Sequence, residues 1–112
     1  MTDYTTAKKI RRINDCFRRN MVFGGDVLLT SGVASLEAER LAELLELVRK
    51  FDEFTPDNDP HGEHDFGAIE LNAIRYFWKI DYYDLSKTAA SPDAADPAIT
   101  HRVLTVMRAD EY

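Results

Sequence analysis

The sequence has little cysteine and no long apolar segment. Cys16 is the single cysteine among 112 residues, which excludes an internal disulfide and is typical of a reducing compartment. No apolar run approaches the ~18 residues that a membrane-spanning helix requires, and no charged and then apolar leader follows Met1. We therefore expect a cytoplasmic protein without a membrane segment. A length of 112 residues predicts one domain over residues 1–112, and an apolar fraction of 45% predicts that this domain is globular.

Basic residues are scarce beyond the first twenty positions. Residues 1–20 contain six Lys and Arg against two Asp, a net charge of +4. Residues 21–50 contain three basic against five acidic residues (−2), and residues 51–112 contain five against thirteen (−8), which together give −6. An acidic body repels phosphate backbones and attracts basic surfaces. The expected partner is therefore a basic protein surface, and nucleic acid is not expected to bind.

Signatures of phosphate binding and of nucleophilic catalysis are absent as well. Gly24-Gly25 lacks the Gly-Lys-Ser/Thr continuation of a phosphate loop, and it precedes a predicted strand instead of leading from a strand into a helix. No serine or cysteine stands in a nucleophile elbow. We accordingly expect no cofactor.

The segment "TTAKKIRRINDCFRRNM" has the pattern of an amphipathic helix. Thr5 or Thr6 is a suitable N-cap. Cys16 lies beside the apolar stripe, so we expect a buried, inert thiol. The stripe consists of Ile10, Ile13, Phe17 and Met21. The opposite, basic face consists of Lys8, Lys9, Arg11, Arg12, Arg18 and Arg19.

A second helix is predicted over residues 35–54, "SLEAERLAELLELVRKFDEF". Ser31 or Ser35 is the expected cap, Pro56 is expected to end the helix, and Glu46 can pair with Lys50. The apolar face comprises Leu36, Leu41, Leu44, Leu45, Val48 and Phe51. The solvated face comprises Glu37, Glu39, Glu43 and Glu46.

The remaining pattern predicts strands. A short strand spans Asp26–Thr30, and a hairpin joins Asp65–Leu71 to Ile74–Tyr83 through an Asn72-Ala73 turn. "HRVLTVMRA" favours a strand, although Asp96-Pro97 could begin a helix there.

The alternation of the second hairpin strand predicts its orientation. Its core face holds Ile74, Tyr76, Trp78, Ile80 and Tyr82, and its mixed face holds Arg75, Phe77, Lys79, Asp81 and Tyr83. A strand with two such faces is expected to be central. Ser91-Pro92-Asp93 resembles a short helix start. The predicted fold is α+β, in the order α-β-α-β-β-β, with a mostly antiparallel four-stranded sheet packed against two helices.

The connector "FTPDNDPHGEHDFG" concentrates the residue types that carry chemistry. Its Asp57-x-Asp59-x-His61-Gly62 pattern begins like a calcium loop, but the twelfth position is Ala68 where a bidentate Glu is needed. Zinc or manganese would accept His61, Glu63, His64 and Asp65, with Asp81 or His101 from neighbouring strands. His64 beside Asp65 or Asp81 could instead act as a general base, with Lys79 stabilising negative charge.

A structural interpretation of the same connector needs no chemistry. Its prolines fix turn or extended conformations, and Asp57, Asn58 and Asp59 can bond their own backbone amides. The weak metal candidates are then His61, His64 and Asp65. Whether His61, His64 and Asp81 converge in space is open at this point.

Three segments, "FDEFTPDNDPHGEHDFGAIE", "FWKIDYYD" and "SPDAADPAITHRVLTVM", resemble a family of small bacterial proteins classed as a domain of unknown function. The resemblance extends from about Ile10 to Tyr112. It implies no established activity. Genes of this family often lie on plasmids and other mobile elements, beside antirestriction-type genes. One departure is the Asn72-Ala73 turn, where the family is associated with glycine.

Three functional hypotheses follow. The leading one is a non-enzymatic anti-defence protein, antirestriction or anti-CRISPR-like, that occupies a basic surface of a host nucleic-acid-binding complex. The residues expected to bind that partner are Asp57, Asp59, Glu63, Asp65, Asp81 and Asp84. The alternative is a metal-assisted hydrolase or nuclease that uses His61, Glu63, His64 and Asp65. The third is a DNA-binding regulator that uses Arg11, Arg12, Arg18 and Arg19.

Overall fold

The computed structural model describes residues 4–112, with side chains from Thr5 onward, and contains a four-stranded sheet with helices on one face. The elements are α1 (Tyr4–Asn20), β1 (Gly25–Leu29), α2 (Ser31–Ala34), α3 (Ala38–Arg49), β2 (Phe66–Leu71), β3 (Ile74–Tyr83), β4 (His101–Arg108) and a terminal 3-10 helix (Ala109–Glu111). Within residues 4–112, no helix has both the length and the apolar character needed to cross a membrane.

The sheet has the order β1-β4-β3-β2 and is mixed. β1 runs parallel to β4, whereas the β4-β3 and β3-β2 pairs are antiparallel. The predicted α+β class, the mostly antiparallel sheet and the central position of β3 are therefore confirmed. The last segment is a strand, as preferred, because Arg102, Leu104 and Val106 alternate on the buried face of β4.

The β2–β3 hairpin follows the sequence pattern closely. Tyr76, Trp78 and Ile80 lie in the core and Tyr82 packs against it, as expected. Ile74, which was also expected on the core face, is 42% exposed beside the turn, so that expectation is wrong. The intervening residues of β3 face the opposite side of the sheet. Asn72 and Ala73 have φ values of 54° and 63°, so both central residues are left-handed and the turn has the character of type I′. Gly67 leaves room for Trp78, since a Cβ at that position would collide with the indole nitrogen.

The predicted second helix is two helices. Ser31 begins α2, Ser35 is the C-cap of α2, and the extended Glu37 is the N-cap of α3, so neither serine caps the longer helix. α3 ends with Lys50 as its C-cap, well before Pro56. The expected apolar face is nevertheless confirmed, and Glu46 pairs with Lys50 at 3.5 Å.

Three expectations for α1 and one for the last loop are wrong. Thr5 and Thr6 lie inside the first turn, because α1 already includes Tyr4. Cys16 is exposed, whereas Arg18, placed on the solvated face by the sequence, is completely buried. The Asp93 carboxylate accepts a hydrogen bond from the Ala95 amide, and the segment forms a turn there. No helix therefore begins at Ser91.

The sheet face opposite the helices is open. Cross-strand register places Asp81 next to Val103, Lys79 next to Thr105 and Phe77 next to Met107 on this face. The Tyr112 ring covers part of it, with its centroid 5.6 Å from that of Phe77. The two faces of the sheet therefore offer different surfaces.

Glu111 fastens the end of the chain to α2. Its carboxylate accepts hydrogen bonds from the Thr30 hydroxyl at 2.7 Å, the Gly32 amide at 2.8 Å and the Arg108 amide at 2.9 Å. These bonds, the Thr30 one foremost, lower the pKa of Glu111 from 4.5 to about 2.

We expect Ala73→Gly to raise the free energy of unfolding by about 0.5–1 kcal/mol, because glycine adopts a positive φ without strain. Urea denaturation measures the change. Ala42→Gly in the exposed middle of α3 is the control, and it should lower the free energy of unfolding by about 0.5–1 kcal/mol. An unchanged or lower stability of Ala73→Gly would contradict the left-handed turn.

We expect the stability that Glu111 contributes to depend on pH. A depressed carboxyl pKa stabilises the fold above the unfolded value of 4.5, and this contribution disappears as the pH falls through 4.5 towards 2. Melting temperatures of the wild type and Glu111→Gln should differ most near neutral pH and converge at the acid end. A gap that stays constant with pH would show that the charge of Glu111 is unimportant.

Candidate functional site

The connector between α3 and β2 is folded around the carboxylate of Asp59. This side chain is 8% exposed, and one of its oxygens accepts the amides of Glu63 and His64, both at 3.1 Å. The amide of Asp59 itself bonds to the Thr55 carbonyl at 2.8 Å. The structural interpretation of the connector is therefore confirmed for Asp59. Because this carboxylate is buried, it is not part of the acidic surface expected to meet a partner.

His64 joins the connector to α1. Its Nδ1 lies 2.9 Å from Oδ1 of Asp15, and its Nε2 lies 3.7 Å from Oδ2 of Asp59. The imidazole also stacks on Phe54, with ring centroids 3.6 Å apart and planes within 4°. Both ring nitrogens thus face carboxylates and one ring face is covered. At 3.7 Å the contact between Nε2 and Asp59 is longer than a hydrogen bond, so within residues 5–112 it is Nδ1 that has a hydrogen-bonded carboxylate.

A second set of polar groups lies under α1. The Asn14 side chain, completely buried, donates to the Glu63 carbonyl at 3.0 Å and to the Tyr82 hydroxyl at 2.8 Å. The Tyr82 hydroxyl donates in turn to the Glu63 carboxylate at 2.9 Å, and Arg102 Nε donates to Asn14 Oδ1 at 2.7 Å. Burial raises the pKa of Tyr82 and lowers that of Arg102. Glu63 therefore holds the connector in place.

Arg18 links α1 to the end of α3. Its guanidinium donates to the Val48 carbonyl at 3.1 Å, to the Phe51 carbonyl at 3.0 Å and to Asp15 at 3.2 Å. It also lies over the Trp78 ring, 4.9 Å from the centroid. Burial lowers the pKa of Arg18, and Asp15 opposes that shift. The Arg18 bonds satisfy carbonyls at the end of α3 and so stabilise a helix end that lies well before Pro56.

The predicted site residues do not form one site. His61 is exposed at the tip of the connector, and Asp81 lies on the open sheet face, where it pairs with Lys79 at 3.1 Å. Asp84 accepts the Thr88 amide within its own turn. His101 pairs with Asp26 at 2.8 Å and not with the connector.

Asp65 is half-buried at the start of β2. Burial, and then repulsion from Glu63, raises its pKa. Among residues 5–112, no group of three or more His, Cys, Asp or Glu side chains is arranged to hold a metal ion. The open question of convergence is thereby answered, because His64 lies on the helix side of the sheet and Asp81 on the other.

Asn14, Asp15 and Arg18 were missed as partners of the connector. Helical spacing could have indicated Asn14 and Arg18, since they follow Ile10 by four and eight residues and share its buried face. Asp15 had no such signal, because its role depends on His64, which lies 49 positions away.

One group of exposed carboxylates lies where the chain leaves α3 and on the edge strand β2. Asp52, Glu53 and Asp57 are exposed where the chain leaves α3, and Glu70 is exposed on β2. Asp52, Glu53 and Glu70 border a groove of about 280 Å³ that also contains Leu47 and Phe51. We call Asp52, Glu53, Asp57 and Glu70 the acidic edge. Of the residues predicted to bind a partner, Asp57 belongs to it.

A family model described as a protein of unknown function, DUF3768, matches residues 29–111. The chain belongs to the DUF3768 family. The resemblance to a domain of unknown function is thereby confirmed. No curated protein and no solved structure matches the chain. The DUF3768 match contains the connector and the acidic edge, whereas α1, which supplies Asn14, Asp15 and Arg18, precedes it.

We expect Arg18→Lys to lower the free energy of unfolding by about 2 kcal/mol. The planar guanidinium donates to two carbonyls and a carboxylate at once, whereas the ammonium of lysine cannot donate to all three in that geometry. Urea denaturation checks this value. Arg19→Lys on the exposed neighbour is the matched control and should change stability by less than about 0.5 kcal/mol. Equal stability of the two variants would show that the Arg18 bonds contribute nothing.

Proposed function

We propose that this protein is a non-enzymatic binding protein whose acidic edge occupies a basic surface of a nucleic-acid-binding protein. The observation that carries the proposal is the exposure of these carboxylates together with their ion pairing. Asp52, Glu53, Asp57 and Glu70 are exposed, and none of them forms a salt bridge with a residue in the 4–112 range. Surface carboxylates without a cation of their own are available to Lys and Arg of a partner.

The charge distribution supports the same function. Residues 51–112 carry thirteen acidic against five basic side chains, a net charge of −8. Such a surface competes with phosphate for Arg and Lys, so binding should weaken as salt increases. The partner we propose is a host restriction or CRISPR complex, which a protein of mobile elements would inhibit by covering its nucleic-acid surface.

Catalysis receives less support from the geometry. The Nδ1 of His64 is hydrogen-bonded to Asp15 and one face of its ring is stacked on Phe54, and His61 is exposed at the tip of the connector. Glu63 and Asp59 bond to Tyr82 and to the connector amides. Glu63 and His64, two of the four residues of the hydrolase hypothesis, therefore already hold the connector against α1 and β3.

A second candidate function rests on the concavity beside α1. It measures about 680 Å³ and is lined by Lys8, Arg11, Arg12 and Arg19 together with the exposed Phe23. Cations with an exposed aromatic ring are a combination that binds single-stranded nucleic acid. The burial of Arg18 removes one of the four arginines first expected to contact DNA.

The test is co-purification with restriction and CRISPR complexes at low salt. We expect retention of the wild type, release at about 0.5 M NaCl, and a roughly three- to tenfold weaker association of the double variant Asp52→Asn/Glu53→Gln. Glu37→Gln/Glu39→Gln changes the net charge equally at the other end of α3, and it should bind like the wild type.

Two results would contradict the proposal. One is the absence of any association at low salt. The other is an equal loss in both double variants, which would indicate a response to net charge alone. Retention of the protein on single-stranded DNA that is abolished by Arg11→Glu/Arg12→Glu would favour the second candidate.

A further inference from the structure

The outer edge of β2 has unpaired backbone groups. The Ile80 amide bonds to the Asp65 carbonyl at 2.8 Å, which makes this a hydrogen-bonded pair in the antiparallel ladder. Such pairs alternate along the ladder, so Gly67, Ile69 and Leu71 also bond to β3. The N–H and C=O groups of Phe66, Ala68 and Glu70 consequently point away from the sheet. None of them receives a hydrogen bond from another segment within residues 4–112.

The groove beside this edge has an apolar floor and an acidic rim. Leu47 is 41% exposed and projects from α3 towards the groove, where Phe51, Ala68 and Ile69 also contribute. Asp52, Glu53 and Glu70 stand around it with one cation, Lys50. Three carboxylates against one ammonium leave the rim at −2.

A free strand edge beside an apolar groove is the arrangement into which an extended peptide adds as a further strand. β2 contains no proline and no lysine, the residues that commonly block such edges. The side chains of an added strand would alternate, with one set towards Leu47 and Phe51 and the other outward.

We propose that an extended segment of a partner protein, with apolar residues alternating with Lys or Arg, pairs with β2 as a fifth strand. The order of the sheet would become β1-β4-β3-β2-partner. Main-chain hydrogen bonds to Phe66, Ala68 and Glu70 supply the pairing, Leu47 accepts the apolar side chains, and the acidic edge selects the basic ones. This inference rests on the proposed function for the charge of the partner.

A second copy of this chain fits the same edge poorly. Pairing β2 with another β2 would bring two acidic edges together, each with Asp52, Glu53 and Glu70. Like charges that face one another across a pair of strands are destabilising. The charge therefore favours a basic partner over self-association.

The experiment uses the full chain and a fluorescein-labelled peptide of about ten alternating Val and Lys residues, followed by fluorescence polarisation. We expect saturable binding that is abolished when two central valines of the peptide are replaced by proline. Ala68→Pro removes one outward N–H and should weaken binding about five- to tenfold or more. Ala68→Val retains the N–H and should bind within about twofold of the wild type.

Amide exchange of the unmodified protein gives a second measurement, which holds even where Ala68→Pro fails to fold. The peptide should slow hydrogen exchange at Phe66, Ala68 and Glu70 and leave exchange in β1, at the opposite edge, unchanged.

The outcomes separate this inference from the proposed function. Peptide binding that leaves these three amides unprotected and tolerates Ala68→Pro would overturn strand addition while the acidic edge remains a binding surface. The same conclusion follows if the peptide does not bind although a restriction or CRISPR complex is retained. Failure of both experiments removes both proposals. Protection of the three amides without peptide, with a dimer in sedimentation, would identify a second copy as the occupant and overturn the inference.

Discussion

The buried guanidinium of Arg18 is the contact on which the arrangement of helices depends. It joins α1 to the carbonyls at the end of α3 and lies against the Trp78 ring of the sheet. A buried charge is tolerated only where hydrogen bonds replace its hydration. Arg18 therefore fixes the position of α1, the end of α3 and the path of the chain into the connector.

The same helix explains the composition of the connector. Asp15 binds His64, and Asn14 binds Tyr82 and the Glu63 backbone, so residues that resemble catalytic groups hold a loop against α1. Their polarity is required because the chain crosses a buried region there, and buried polar groups need partners. The carboxylates of the acidic edge remain exposed, and three of them border the groove between the end of α3 and β2. The connector residues that hold the loop in place and the exposed carboxylates proposed to bind a partner are thus different parts of the chain between α3 and the end of β2.

Much of the fold could be predicted from local pattern. Alternation identified both hairpin strands and the core face of Tyr76, Trp78 and Ile80, because side chains of a strand alternate between its faces wherever the strand lies. Periodicity found α1 and the apolar face of α3. Periodicity failed for Cys16 and Arg18. A pattern of polarity places arginine on the solvent side, and the sequence of α1 does not show the carbonyls at the end of α3 to which Arg18 binds. The break between α2 and α3 was missed too, and α2 has a contact that its local pattern does not contain, since Glu111 accepts the Gly32 amide.

The sequence by itself determined the class of the fold, the family and the concentration of charge, because these depend on composition and short-range spacing. Tertiary structure decided which carboxylates face solvent. Asp59 and Glu63 are neighbours of Asp57 in sequence, yet they bond inside the protein while Asp57 remains exposed. It also decided that His64 meets Asp15 and that Asp81 lies on the opposite face of the sheet. These outcomes depend on contacts between residues far apart in the chain, and no local pattern records such contacts.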